Sequence, residues 1–217
     1  MSVAILVPML GRAHHIAPLV ESIRSTCPSA SVLFGCSPGD RKVIEQLERM
    51  GEQFFTVPGP APGDYARKIN EGFRRTPEPV VFLAASDLRF HDGWWEAIEA
   101  KLTPGVGVVG TNDLGSPRVL AGEHSTHSAV TRDYVERFGL IDQPGVVLFE
   151  GYEHEYVDDE LVQTAMHRGA WAFAEDAHVE HLHPSWGKAP TDRMYRQQRQ
   201  RMRRSRALYQ ERRQLWT

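Results

Sequence analysis

The amino-acid sequence predicts an α/β fold: a mainly parallel sheet flanked by helices. Strand-like apolar runs alternate with helix-like periodic segments through the first half of the chain, the pattern of strands joined by helical crossovers. Residues 3–7 and 80–84 are continuously apolar, as expected of strands covered on both faces. The second run ends abruptly in Ser86 and Asp87. A buried strand that delivers a carboxylate at its carboxyl end is a common way to hold a divalent cation over a phosphate ligand.

Taken in order, residues 3–7 form the first strand and 8–12 a loop. Residues 15–25 carry Ile16, Leu19, Val20 and Ile23 at helical spacing. A second strand is expected over 31–36, a turn at 37–40 and a helix over 41–50. Residues 53–57 read as a third strand, and 58–63, rich in Pro and Gly, as a loop. Asp64 is a candidate N-cap for a helix over 65–75. The strand at 80–84 follows, and another is expected at 105–109. Beyond Thr111 the pattern loosens, with strands expected at 128–130, 146–149 and 171–174 and helices at 131–138 and 159–167. The domain reading is one unit over 1–190, regular to about residue 110 and looser over 111–190, followed by a basic helical appendage over 191–217.

The chain has 217 residues, 41% of them hydrophobic, enough for a sizeable core. Its formal net charge of −3 points to no polyanionic partner. No apolar run approaches the roughly 18 residues of a membrane span, and the N-terminus lacks a signal-peptide pattern, so the expectation is a cytoplasmic protein without a transmembrane segment. Cys27 and Cys36 have no metal-ligand or C-x-x-C spacing and read as buried thiols.

Three segments carry a family resemblance. The opening AILVPMLGRAHHIAPLVESI, the stretch VVFLAASDL and the later DDELVQTAMHRG, in which Gly169 follows Leu161 by eight residues, resemble in order and spacing the family 2-like glycosyltransferases of the GT-A fold, especially compact bacterial and phage-type members. The resemblance runs from about Val3 to about Trp186. It implies a GT-A sheet, a nucleotide-diphosphate sugar donor, UDP-linked in the favoured reading, and Mn²⁺ or Mg²⁺ as cofactor. Transfer to an unidentified hydroxyl acceptor, with inversion, would follow.

On this resemblance Asp87 is a metal ligand from the family's D-x-D motif, whose first acidic position falls at Ala84 or Ala85 and whose second falls at Ser86. One carboxylate leaves the site incomplete, and His183, with His181 second, is expected to complete it. A carboxylate-and-imidazole set suits Mn²⁺ slightly better than Mg²⁺. Asp158 aligns with the family's general base and Asp159 is its alternative; acids clustered there should raise the base's pKa. The nucleotide is expected at Pro8, Leu10, Gly11 and Arg12, at Asp64, Lys68 and Asn70, and at Ser86. Gly35, Cys36 and Ser37 stand where relatives often carry a uracil-binding Asp, which leaves the base open. Trp94 and Trp95 read as packing residues, and His154 as a structural residue that can reach an acceptor.

The tail is different. Nine arginines, Arg199 and Arg201 among them, surround a seam of Tyr195, Met202, Tyr209 and Trp216 spaced every seven residues, which predicts one long helix. Its seam can pack on the catalytic unit or form a homodimer, and its arginines can meet a polyanion, a modified DNA base being one conceivable acceptor. Two other functions fit less of the chain: a sugar-phosphate nucleotidyltransferase, for which Leu10-Gly11-Arg12 is too poor in glycine, and a non-catalytic nucleic-acid or membrane-binding protein led by the tail.

Overall fold

The computed structural model describes residues 1–59, 63–196 and 198–217, with the backbone alone at 194, 198 and 199. The middle of the Pro/Gly loop, residues 60–62, and the side chain of Arg199 lie outside the described residues. Among the described residues eight strands form one curled sheet in the order β3-β2-β1-β4-β7-β6-β8-β5. They are β1 (Val3–Pro8), β2 (Ser31–Cys36), β3 (Phe54–Thr56), β4 (Val80–Leu83), β5 (Leu88–Phe90), β6 (Val108–Asn112), β7 (Ser128–Thr131) and β8 (Trp171–His181). The first four are parallel and are joined by three helical crossovers: α1 (Ile16–Thr26), α2 (Arg41–Met50) and α3 (Asp64–Arg75). A strand buried on both faces needs apolar residues at every position, and β1 and β4 are buried almost throughout.

Alternation splits those strands between two cores. Val3, Ile5 and Val7 pack with α1 and α2 and with Trp94 and Trp95 of α4 (Trp94–Glu99). Ala4, Leu6, Val81 and Leu83 pack with Ala66, Ile69 and Phe73 of α3 and with Leu161 and Ala165 further along the chain. Trp94 and Trp95 are therefore core residues. Both cysteines are free and buried, and burial pushes the Cys36 thiol up to about 12, so neither is poised to react.

The second half turns the sheet. β7 runs antiparallel to β4 and β6 antiparallel to β7, while the first part of β8 runs parallel to β6. Past a register shift at Thr111/Asn112, the end of β8 pairs antiparallel with β5, setting Leu88 opposite His181. The short helices α5 (Pro117–Leu120) and α6 (Arg132–Arg137) lie between strands, and α7 (Val157–His167) precedes β8.

Several boundaries move. The strand expected at 105–109 is Val108–Asn112, and that expected at 171–174 extends to His181. The apolar run at 146–149 joins no strand. Its backbone is satisfied by a side chain, Val147 and Leu148 N–H donating to Asn70 Oδ1 at 3.1 and 3.0 Å. Asp64 is the first residue of α3 rather than its cap, which is Gly63 at φ 80°.

The tail comprises α8 (Arg193–Arg196) and α9 (Gln198–Arg213). Tyr209 stacks on Tyr156 at 4.7 Å and Trp216 is buried. Arg212, also buried, donates to Glu160 at 2.6 Å and Asp142 at 2.8 Å. The seam residues Tyr209 and Trp216 are thus covered by their own chain, while Met202 and Leu215 remain exposed. Among the described residues no helix is long and apolar enough to cross a membrane.

Candidate active site

A cavity of about 1350 Å³ opens at the carboxyl ends of β1, β2 and β4, the position where open α/β sheets bind ligands. One wall carries Pro8 to Arg12, with Ser86 and Asp87. The opposite wall is the start of α7 at Asp158 and Asp159, and His181, His183 and Tyr195 close the rim.

Asp87 follows the small residues just beyond the end of β4, and its side chain is only 7% exposed. Arg12 Nη1 donates to Oδ2 at 2.7 Å, and the Tyr195 hydroxyl donates to the same oxygen. Oδ1 faces His181, whose Nε2 is 3.7 Å away. Burial opposes ionisation of Asp87, yet His181, Tyr195 and Arg12 together hold its pKa at about 2. Burial also depresses His181, to about 4, so the lasting counter-charge at neutral pH is Arg12.

Arg12 adopts φ 56°, a left-handed conformation uncommon without glycine, immediately after Gly11 at φ 63°. This double turn points the Gly11 N–H at the Asp40 carboxylate and the guanidinium at Asp87. The same guanidinium donates through Nε to Asp192 at 2.7 Å and lies 4.5 Å from the Tyr195 ring centre. Leu10 is 40% exposed at the cavity edge, and the Ser86 carbonyl accepts from His15 Nδ1 at 3.2 Å.

Lys68 and Asn70 support the site from behind and do not line it. The buried Lys68 ammonium donates to Met9 O at 2.7 Å, Ser37 Oγ at 3.0 Å and Asp64 Oδ2 at 2.6 Å, which uses all three of its protons. Glycine at position 35 permits this approach, since a Cβ there would meet Lys68 Cβ at 3.0 Å. Asn70 clamps the 147–150 segment, donating to Leu148 O at 2.8 Å and Glu150 Oε1 at 2.9 Å. The polar groups of Lys68 and Asn70, where nucleotide contacts are expected from the sequence, are thus engaged within the protein. Asp64 does line the cavity, and its Oδ1 is buried without a hydrogen-bond partner.

Across the cavity, Tyr156 at φ 76° turns the chain into α7. Its first turn holds three acids with three different fates. Glu160 points inward to Tyr152 and Arg212. Asp159 accepts from Arg118 at 2.9 Å. Asp158 Oδ2 lies 3.2 Å from His124 Nε2. The expectation that neighbouring acids raise the pKa of Asp158 is corrected. Burial is the strongest single influence and pushes it up, but the His124 hydrogen bond, the His124 charge and the backbone N–H groups of Asp159 and Asp158 together hold it down. The raised carboxyl is Asp159, through burial and the charge of Asp158. The charges of both Asp158 and Asp87 act on Tyr65 and on His127, so the two carboxylates face one shared space.

The sequence reading missed His124, His127 and Tyr195. The first two precede β7 in a segment with no periodic signal, and Tyr195 reads as one member of an apolar seam. His154 lines the cavity and packs edge-on against Tyr65 at 5.4 Å. His183 lies on the rim 4.9 Å from the His181 ring, and its Nδ1 accepts the Ser185 N–H at 3.1 Å. The residues present fit a divalent cation of the Mn²⁺ type. A buried carboxylate stands beside neutral imidazoles, and the buried Nε2 of His127 has no protein partner.

A parallel 3-2-1-4 half, a strand-end carboxylate and a turned second half define the GT-A fold, and comparison with solved structures gives that same fold. The chain resembles a mannosyltransferase from Pyrobaculum calidifontis solved with GDP-Man and Mn²⁺, at TM-score 0.66 and 17% identity, over 92% of this chain and 60% of the other. This chain therefore spans about 60% of that enzyme's length. It also resembles glucosyl-3-phosphoglycerate synthase from Mycobacterium tuberculosis. The form with Mn²⁺, UDP and glucosyl-3-phosphoglycerate gives TM-score 0.57 and 16% identity, over 93% and 77% of the two chains. The form with Mn²⁺, UDP and phosphoglyceric acid gives 0.59 and 16%, over 93% and 76%. No protein-family profile matches the sequence, and no curated protein matches it.

Proposed function

We propose that this protein is a metal-dependent glycosyltransferase that moves a sugar, with inversion, from a nucleotide-diphosphate sugar to a hydroxyl acceptor. One observation carries the reading: the buried Asp87 and the half-buried Asp158 face a single large cavity at the carboxyl ends of the parallel strands. A leaving diphosphate needs a cation and an acceptor hydroxyl needs a base, and the two carboxylates are placed to serve those separate tasks. Asp87, with His181, would hold Mn²⁺ or Mg²⁺, which would neutralise charge developing on the diphosphate. Arg12 at the same end adds a fixed positive charge. Asp158 is ionised at neutral pH and oriented by His124, so it can take the acceptor proton as the acceptor oxygen bonds the anomeric carbon and the bond to the diphosphate breaks. The base is left open between uracil, favoured from sequence, and guanine, because Ser37 replaces the acidic residue expected there and its hydroxyl is already engaged by Lys68.

The test is thermal unfolding with UDP and GDP, each with Mn²⁺ and with chelator. A ligand at one hundred times its dissociation constant adds about 2.7 kcal/mol. One nucleotide should stabilise the protein more with Mn²⁺ than the nucleotide and the metal do separately. Equal stabilisation with chelator present defeats the metal-dependent reading.

A further inference from the structure

We propose that His127 is a metal ligand, so that the cation is held by Asp87, His181 and His127. This rests on the metal-dependent reading of the cavity and names the residue that replaces the carboxylate missing at Ala84 or Ala85. A neutral imidazole carries one proton, and the nitrogen without it is the one that binds metal.

His127 Nδ1 lies 3.2 Å from the Leu83 carbonyl, which can only accept, so Nδ1 carries the proton. Nε2 therefore has the lone pair, and it is buried with no hydrogen-bond partner. His127 as a whole is 5% exposed. A carbonyl that fixes the tautomer while the other nitrogen faces a cavity is how metal-binding histidines are commonly oriented. His183 has the opposite arrangement. A backbone N–H can only donate, so the Ser185 N–H occupies the lone pair of Nδ1 and leaves the proton on Nε2. Ligation by His183 would require that bond to break.

The fold brings the three groups together from three strands. β4 ends at Leu83 and leads to Asp87; His127 enters β7, which pairs with β4; His181 ends β8 opposite Leu88. The His127 and His181 rings meet edge-on at 5.1 Å, and His181 Nε2 is 3.7 Å from Asp87 Oδ1. Arg12 and Tyr195 engage only Oδ2 of Asp87, which leaves Oδ1 for the cation. The three ligand atoms are not all within 4.8 Å of one another, a spacing that His124, Asp158 and Asp159 do meet, so binding would draw them closer. In that second group the carboxylates are already matched to His124 and Arg118. Two imidazoles and one carboxylate favour Mn²⁺ over Mg²⁺.

The experiment measures Mn²⁺ binding to the full chain by the loss of the free-ion electron paramagnetic resonance signal. The parent is compared with His127→Gln and His183→Gln, each checked for folding by circular dichroism. We expect His127→Gln to weaken Mn²⁺ binding at least tenfold and His183→Gln to change it less than threefold. Spin-echo modulation from ¹⁵N-histidine-labelled protein should count two coordinated histidines in the parent and two in His183→Gln, a result that does not require the His127 variant to fold. Parent-like affinity in a folded His127→Gln protein, or a single histidine in the parent, overturns the proposal. So does loss of one histidine in His183→Gln. If the parent binds no Mn²⁺, the metal-dependent reading falls with it. If His127-dependent binding is found but no nucleotide sugar is turned over, the ligand assignment stands and the proposed reaction does not.

Discussion

Tyr195 donates its hydroxyl to the carboxylate of Asp87, 108 residues earlier in the chain. Arg12 lies between the same two segments, bonded to Asp87 on one side and to Asp192 on the other, each at 2.7 Å. The start of the tail is thereby fastened to the cavity rim through a buried charge. Removing the hydroxyl with Tyr195→Phe should cost about 2 kcal/mol, the range for a hydrogen bond to a charged group. It should also speed trypsin cleavage in the 193–196 segment. Parent-like urea unfolding and cleavage would show that this contact does not hold the tail.

The far end of the tail is fixed by Arg212, which neutralises Glu160, a residue 1% exposed. Arg212→Ala leaves that carboxylate buried and unpaired, and a loss of about 3 kcal/mol is expected. Urea denaturation at pH 7 measures it. A change below about 1 kcal/mol would mean that α9 is not docked as described.

His181 and Asp87 make stability fall with acid, for linked reasons. The folded pKa of His181 is lowered to about 4, by burial first. An unfolded His titrates near 6.5, so below that pH the unfolded chain takes up a proton the folded chain refuses. The stability is full above about pH 6.5 and is lost as pH falls towards 4, by at most about 3 kcal/mol. Asp87, depressed to about 2, adds a loss that begins below its unfolded value and ends near pH 2. Chelator-treated His181→Gln protein should show a flatter stability profile between pH 7 and 4. A profile as steep as the parent's would assign the dependence to other groups.

Much of the first half was legible because parallel strands buried on both faces read as continuous apolar runs, and β1 and β4 do so. Asp87 stood out because its strand stops there. The second half was less legible for identifiable reasons. β5 has three residues and exists only because β8 extends to pair with it. The buried run at 146–149 looks like a strand, but Asn70 satisfies its backbone. Glu160 and Asp158 are near neighbours in one acidic run, and only the helical turn shows that one faces Arg212 and the other the cavity. His127 could not be singled out from ten histidines, because its tautomer is set by a carbonyl from a distant strand.

Asp158→Asn should reduce turnover at least about a hundredfold, the usual consequence of losing a positioned base, with nucleotide binding unchanged. Initial rates alongside thermal shifts separate the two effects. Parent-like rates in this variant, with the loss instead in Asp159→Asn, would move the role by one residue to the carboxyl paired with Arg118.

The exposed tail arginines bear on the acceptor. Arg201 and Arg204 are matched to Glu155 and Glu153, whereas Arg203 and Arg206 are exposed. If DNA carries the acceptor, each phosphate contact contributes nearly one unit to the slope of log affinity against log salt. Changing Arg203 and Arg206 to Gln should then lower the slope by up to about two. Absence of DNA binding at low salt, or an unchanged slope, removes nucleic acid as the partner of these residues.

The most direct test is release of nucleoside diphosphate from UDP- and GDP-sugars by the full chain, with Mn²⁺ and with chelator. The account predicts release that requires Mn²⁺ and is lost in Asp87→Asn. Release unaffected by chelation and by Asp87→Asn, or none from any nucleotide sugar, would contradict it.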